Sequence, residues 1–302
     1  MVTNASKVYL VLVESLGDII ACEPIAKFIK DVHPDKQLTW VIREQYQEVI
    51  RYNPFIDDIL MVDSLHQWHE LKQTILGDDL EINLHFARRL CSVTQKYIHN
   101  TNDPQINDQN YYHYGSLLEV FCQIAGLPIL TAEPNFHFAT DINSPALPEH
   151  FIAIHPLSSE PSRDWTDEKW QSLIDHLTEQ QIHVVELGQA SVIESSNPYY
   201  LDLTHVHSIQ AIAKIIEQAT LFIGVDSAFA HLANALHIPS VILLGVYRDF
   251  DKYMPYTGYL SEHQKEFVIQ YSAPSTEISV DEVVKRLRAI SVDHDTPFAG
   301  RL

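Results

Sequence analysis

The chain is short of cations. Lys and Arg number 20 against 40 Asp and Glu, a formal net charge of −20 over 302 residues. Nucleic acids are held by clustered positive charge, so this balance excludes them as expected partners. An anionic membrane surface is disfavoured for the same reason. The carboxylates are dispersed rather than run together, as on an acidic, solvated surface. Cysteine is scarce too. Cys22, Cys91 and Cys122 are odd in number and far apart, which argues against a disulfide framework and for a reducing compartment. No apolar run approaches the roughly 20 residues of a membrane span. The opening "MVTNASK" lacks the basic n-region of a signal peptide. A cytoplasmic protein with at most peripheral membrane contact is expected. Two fingerprints are also missing: no G-x-G-x-x-G for a nicotinamide or flavin dinucleotide, and no G-x-S-x-G elbow for Ser-His-Asp chemistry.

What is present is a regular alternation of short apolar runs and amphipathic segments, the pattern of a parallel α/β sheet. In the first half the predicted strands are Val8–Val13, Leu38–Ile42, Ile59–Val62 and Leu80–Leu84. Helical spacing covers Ile19–Asp31, Glu44–Tyr52 and Leu65–Leu76. Residues 87–112 read as a long polar loop, followed by a helix over His113–Ala125. "ATDINSPALPEH" (139–150) reads as a linker. The alternation then restarts, with strands at Phe151–Ile154, His183–Leu187, Leu221–Val225 and Ser240–Leu244. Helices are predicted at Trp165–Thr178, Ser208–Gln218, Ala228–Leu236 and 280–290, and the final "SVDHDTPFAGRL" reads as a mobile tail. Two doubly wound domains sharing a cleft follow from this order, with ligands outside the carboxyl ends of strands.

Three stretches place chemistry at such ends. In Glu14–Asp18 a buried strand breaks into two carboxylates, Ser15 and Gly17. Gly17 permits a tight turn or close ligand approach, and Asp18 either caps the helix that follows or acts on a substrate. Ser15 is an alternative cap, and Glu14 an alternative solvent-facing residue. In "IHPLSSEPSRDWTDEKW" (154–170), a polar loop with Arg163 at its mouth offers a bidentate grip on phosphate, or simply a surface arginine. Trp165 and Trp170 read as packing residues. In "LFIGVDSAFAHLANALHIPSVILLG" (221–245), Asp226 and Ser227 open a helix whose N–H groups suit phosphate oxygens. Capping by either residue, with His231 packed inside, explains them equally. Among 17 histidines, His66 and His69 are spaced on a helix and His205 and His207 on a strand, but neither pair has third and fourth ligands. No metal site is expected, and "DFD" at Asp249–Asp251 reads as a turn.

Together and in this order, the stretches resemble glycosyltransferase family 9, the ADP-heptose:lipopolysaccharide heptosyltransferases. Ser15-Leu16-Gly17-Asp18 followed by Pro24 resembles its opening SxGD turn. Arg163 with Trp165 and Trp170 resembles its middle signature. Asp226-Ser227-Ala228-Phe229-Ala230-His231-Leu232-Ala233-Asn234-Ala235-Leu236 resembles its DTGxxHLAAAL signature, with Ser-Ala for Thr-Gly. "MPYTG" (254–258) resembles the GPYG-like turn, and "LLGVYRDF" lacks the family's frequent Gly-Pro-Thr.

The resemblance implies an α/β, GT-B fold: two Rossmann-like doubly wound domains facing a central cleft. Residues 1–145 would form the acceptor-binding domain, 146–280 the nucleotide-sugar domain, and 281–302 a C-terminal helix and tail packing back across them. It implies a metal-independent inverting transfer of a sugar, heptose by default, from a nucleotide-diphosphate donor such as ADP-heptose to a glycan or other hydroxyl acceptor. Asp18 would be the general base. Arg163, Asp226, Ser227, Ala228 and His231 would hold the donor, with Ser15, Gly17, His155 and Gly188 as further candidates near it. Arg88 and Arg89, with Lys96 nearby, would meet the acceptor. Alternatives are a nucleotide-sugar hydrolase or epimerase using His155 or His231, and a non-catalytic sugar-nucleotide-binding protein.

Overall fold

The computed structural model describes residues 6–250 and 252–302. The readings of residues 1–5 and of Asp251 in the Asp249–Asp251 triplet lie outside them. The chain divides into two compact units, Met1–Ala139 with Met254–Thr257, and Thr140–Tyr253 with Gly258–Leu302.

The first unit contains β1 (Lys7–Val11), α1 (Leu16–Ala21), α2 (Pro24–Val32), β2 (Gln37–Ile42), β3 (Asp58–Met61), α3 (Leu65–Ile75), β4 (Leu80–Asn83), β5 (Arg88–Leu90), β6 (Tyr97–His99) and α4 (Leu117–Ile124). Its main sheet is parallel, in the order β3-β2-β1-β4. The predicted single helix over Ile19–Asp31 is two helices. Pro24 has no N–H to give to the ladder and stands at the first position of α2, so the chain breaks before it. Glu44–Tyr52 is instead a tight 3-10 turn over Glu44–Val49. The supposed long loop also carries structure. β5 and β6 pair antiparallel, with Arg89 opposite Ile98 and Leu90 opposite Tyr97. Cys91, just after β5, and Ile98 of β6 join the core of Tyr9, Val11, Val41 and Trp68.

The second unit contains β7 (Phe151–His155), α5 (Asp167–Glu179), β8 (His183–Glu186), β9 (Tyr200–Asp202), α6 (Ile209–Gln218), β10 (Leu221–Val225), α7 (Ala228–Ala235), β11 (Ser240–Leu244), α8 (Tyr259–Glu262), α9 (Gln264–Phe267), β12 (Val268–Gln270) and α10 (Val280–Asp293). Its parallel sheet has the order β12-β11-β10-β7-β8-β9. Strands β7, β10 and β11 are almost wholly buried, which is why they read as unbroken apolar runs rather than alternating ones. α10 packs on α5, α9 and β11. The tail is not loose: Phe298 is buried and Arg301 donates to the Gln181 carbonyl at 3.3 Å. His205 lies in the turn after β9 and His207 in the loop beyond it, neither on a strand.

Both sheets share one topological feature. Strand order reverses between β1 and β4 in the first unit and between β7 and β10 in the second. In open parallel sheets the crevice outside the carboxyl ends at such a reversal is where ligands bind.

Candidate active site

At the first reversal, β1 leads through Glu14 into α1. Asp18 is the third residue of that helix rather than its cap. Ser15 occupies the cap position, and the Asp18 Oδ2 accepts the Ser15 N–H at 3.4 Å in a capping box. Gly17 lies in the first helical turn. Glu14 does not face solvent. It is 3% exposed, accepts hydrogen bonds from the Ser92 hydroxyl and N–H, and lies 3.7 Å from the Arg43 guanidinium. A buried carboxylate needs such partners. Beside it, the Val13 N–H donates to His85 Nε2 at 3.1 Å across the β1–β4 reversal. Burial, with Arg89 nearby, pushes the His85 pKa down to about 3, which keeps that nitrogen an acceptor. Asp18 thus stands half-buried just beyond a strand end, beside the bonded Glu14 and His85. The Cys22 thiol is pushed up first by burial and then by the charge of Asp18.

On the hairpin, Arg88 is exposed with its guanidinium 3.7 Å from the Tyr97 ring centroid. Arg89 alternates to the other face, half-buried, its Nε without a partner among the described residues. The two arginines therefore do not present one surface.

The second reversal gathers residues far apart in sequence. Asp226 follows β10, and Arg163 comes from the loop after β7. Arg163 Nη1 donates to Asp226 Oδ2 at 2.7 Å, with the side chains 18% and 13% exposed. The Tyr253 hydroxyl donates to the same oxygen. Burial alone would lower the Arg163 pKa, but Asp226 and the phenols of Tyr253 and Tyr247 outweigh it and hold the guanidinium charged. Ser227 stands at the N-cap of α7, yet its hydroxyl caps no helical N–H. It meets His155 Nδ1 at 3.0 Å instead, and the His155 ring packs on Phe229 with centroids 4.0 Å apart. The first N–H groups of α7, from Ala228 on, are left without a side-chain cap. His155 is pushed down to about 3 by burial, and His231 downwards by burial against the opposing charge of Asp226. Both rings are neutral near pH 7. Gly188 has φ +151°, a conformation that favours glycine, and it lies beside the His155 ring, which a Cβ there would meet in ordinary contact at 3.6 Å.

Trp165 and Trp170 are packing residues, edge to face at 5.1 Å, with the Trp165 indole donating to the Ile278 carbonyl. Among the described residues no group of three or more His, Cys, Asp or Glu is placed to hold a metal ion. No helix among them is long and apolar enough to cross a membrane.

Residues 115–278, more than half of the chain, match the sequence pattern of glycosyltransferase family 9 (heptosyltransferase). The chain belongs to glycosyltransferase family 9. Among family relatives, lipopolysaccharide heptosyltransferase 3 of Escherichia coli K12 is 21% identical over 283 residues, covering 76% of this chain and 79% of that protein. The solved ADP-heptose lipopolysaccharide heptosyltransferase II of E. coli superposes with a TM-score of 0.68 at 12% identity, covering 96% of this chain and 100% of that one. The iron-containing dodecameric heptosyltransferase TibC of enterotoxigenic E. coli, solved with ADP-D-β-D-heptose, superposes with a TM-score of 0.62 at 16% identity, covering 96% of this chain and 77% of that one. These superpositions establish the GT-B architecture of two parallel α/β sheets, and membership of family 9 makes the protein a heptosyltransferase-like glycosyltransferase using a nucleotide-sugar donor. Sequence reasoning missed Tyr247, Arg248 and Tyr253. The first two lie in the loop just after β11, near a strand end of the kind that marked Asp226; Tyr253 carries no local signal.

Proposed function

We propose that this glycosyltransferase moves a heptose from ADP-heptose to a glycan or other hydroxyl acceptor, by inversion and without a metal. The acceptor binds the first domain (residues 1–145), where the exposed Arg88 meets it; Arg89, on the other face of the hairpin, does not share that surface. The nucleotide sugar binds the second (146–280), and the helix and tail over 281–302 complete the fold. Asp18 takes the proton from the acceptor hydroxyl as that oxygen attacks the anomeric carbon. Negative charge develops on the departing diphosphate. The observation that carries the reading is the cluster at the β7–β10 reversal: Arg163 fixed and charged, the Ser227 hydroxyl turned away from capping, and uncapped N–H groups of Ala228 and its neighbours. Such donors, in place before the reaction, stabilise a leaving diphosphate without reorganisation. Asp226 directs Arg163 and meets sugar hydroxyls rather than phosphate, which would repel it. His231 and His155, both neutral, shape the pocket beside Gly188, and Ser15 and Gly17 hold Asp18 at its strand end.

The test is Asp18→Asn. ADP release from ADP-heptose in the presence of glycan acceptors should fall by about 10²–10⁴, the usual share of a general base, while ADP affinity stays unchanged. Release at the wild-type rate would refute the assignment of Asp18.

A further inference from the structure

The loop after β11 carries a second guanidinium that the site described above does not use. Tyr247 is buried, and two arginines lie on its ring: Arg163 with its guanidinium carbon 4.8 Å from the centroid and Arg248 at 4.9 Å. One aromatic ring thus holds both cations within about 10 Å of each other at the β7–β10 reversal. Burial, with Glu160 nearby, raises the Tyr247 phenol above its ordinary range against the pull of both arginines, so the ring that carries them stays uncharged.

The two arginines are held very differently. Arg163 is fixed by its 2.7 Å pair with Asp226 and is mostly buried. Its remaining donors are poorly used: Nη2 reaches Ser159 Oγ at only 3.5 Å, and Nε is buried with no partner among the described residues. A buried orphan donor is uncommon in a native structure, and a ligand is one of the ordinary reasons for it. Arg248 is 47% exposed and pairs with Glu160 at 3.4 Å, a surface contact of the kind that contributes little. Its backbone sits at φ +51°, in the left-handed region that arginine seldom occupies. Such outliers gather where ligands are held. A planar fork is also the side chain best matched to phosphate oxygens.

We infer that Arg163 and Arg248, seated on Tyr247, form a two-arginine clamp for the diphosphate of the donor, Arg163 as the fixed jaw and Arg248 as the jaw that leaves Glu160 to close. This rests on the reading of the second unit as the nucleotide-diphosphate site. It places the specificity for a diphosphate partly in a loop, Val246-Tyr247-Arg248, that lies outside the Asp226–Leu236 signature.

The experiment is calorimetric titration of wild type, Arg248→Gln and Arg248→Lys with two probes, inorganic pyrophosphate and ADP. Arg248 is exposed, so both variants should melt as wild type does. Arg248→Gln should bind pyrophosphate and ADP about tenfold more weakly, as expected for one lost charge-assisted contact. Arg248→Lys, which keeps the charge but not the fork, should fall between. Equal pyrophosphate affinity in wild type and Arg248→Gln overturns the clamp, as does a wild type that does not bind pyrophosphate. Pyrophosphate binding that depends on Arg248, with ADP no tighter than pyrophosphate, keeps the clamp and refutes the adenine nucleotide reading instead.

Discussion

Gly245 closes β11 and sets the path of the loop that carries Tyr247 and Arg248. A Cβ placed there would lie 2.1 Å from the Ser275 nitrogen, 2.7 Å from the Pro274 carbonyl carbon and 2.8 Å from the Ala273 oxygen. All three are main-chain atoms, so no side-chain rotation relieves the clash. The neighbouring segment is itself fixed: Val246 N–H donates to the Ala273 carbonyl at 2.9 Å, and the Ser275 hydroxyl to the Asp164 carbonyl at 2.8 Å. Gly245→Ala must therefore push the end of β11 away from the turn at residues 273–275. Overpacking generally costs about 1–3 kcal/mol, and a backbone-on-backbone contact belongs at the top of that range. In a unit of this size each kcal/mol moves the melting temperature by about 2–4 °C, so the second unit's transition should fall by about 6–12 °C. Scanning calorimetry checks this, with Gly300→Ala as control because its Cβ would meet nothing within 4 Å. ADP affinity should fall alongside, since the displaced strand end carries Tyr247 and Arg248. A Gly245→Ala transition within about 1 °C of wild type would refute the packing argument.

Acid should destabilise the protein through His85 and His155. Both are held down to about 3 by burial. The unfolded chain therefore takes up protons near pH 6.5 that the folded one refuses, and stability is lost as pH falls from about 6.5 towards 3. Each site should remove roughly 2–3 kcal/mol by pH 4.5, and the drop in melting temperature between pH 7 and 4.5 should be smaller in His155→Gln. An equal drop in that variant would contradict the burial of a neutral ring. Phe298→Ala should cost about 3–5 kcal/mol, because that ring is 2% exposed; urea denaturation with an unchanged midpoint would show the tail to be dispensable. Arg163→Ala should remove the 2.7 Å pair with Asp226 and weaken ADP binding by tenfold or more, about 1.4 kcal/mol, as read by titration. Binding at wild-type affinity would remove Arg163 from the donor site.

The strands that are buried on both faces were the most legible elements. Leu221–Val225 and Ser240–Leu244 match residue for residue, because nothing but burial on both sides shapes such runs. The hairpin was not legible, since each of its strands has only three residues and the outward face carries Arg88, Tyr97 and His99. Its buried apolar residues are only Cys91 and Ile98, while the apolar Leu90 points outward, so no inward-facing alternation shows. β9 and β12, also three residues each, were missed for the same reason. Chain termini invite a reading as loose, yet the buried Phe298 and the Arg301 bond to Gln181 seat the last segment. At the site, strand-end position singled out Asp18, Arg163, Asp226 and Ser227, and the last three do converge. Their partners were not legible. That Ser227 turns to His155 rather than to the helix, or that Glu14 is buried against Ser92 and Arg43, depends on contacts across 72, 78 and 29 positions in the chain, which no local pattern encodes.

The most direct test of the account is a melting panel of the full chain with ADP, UDP, GDP and CDP, each with and without EDTA. A ligand at 100 times its dissociation constant stabilises by about 2.7 kcal/mol, a shift of several degrees. The account predicts a shift selective for ADP and indifferent to EDTA. A larger shift with another nucleotide, or one that EDTA abolishes, would contradict it.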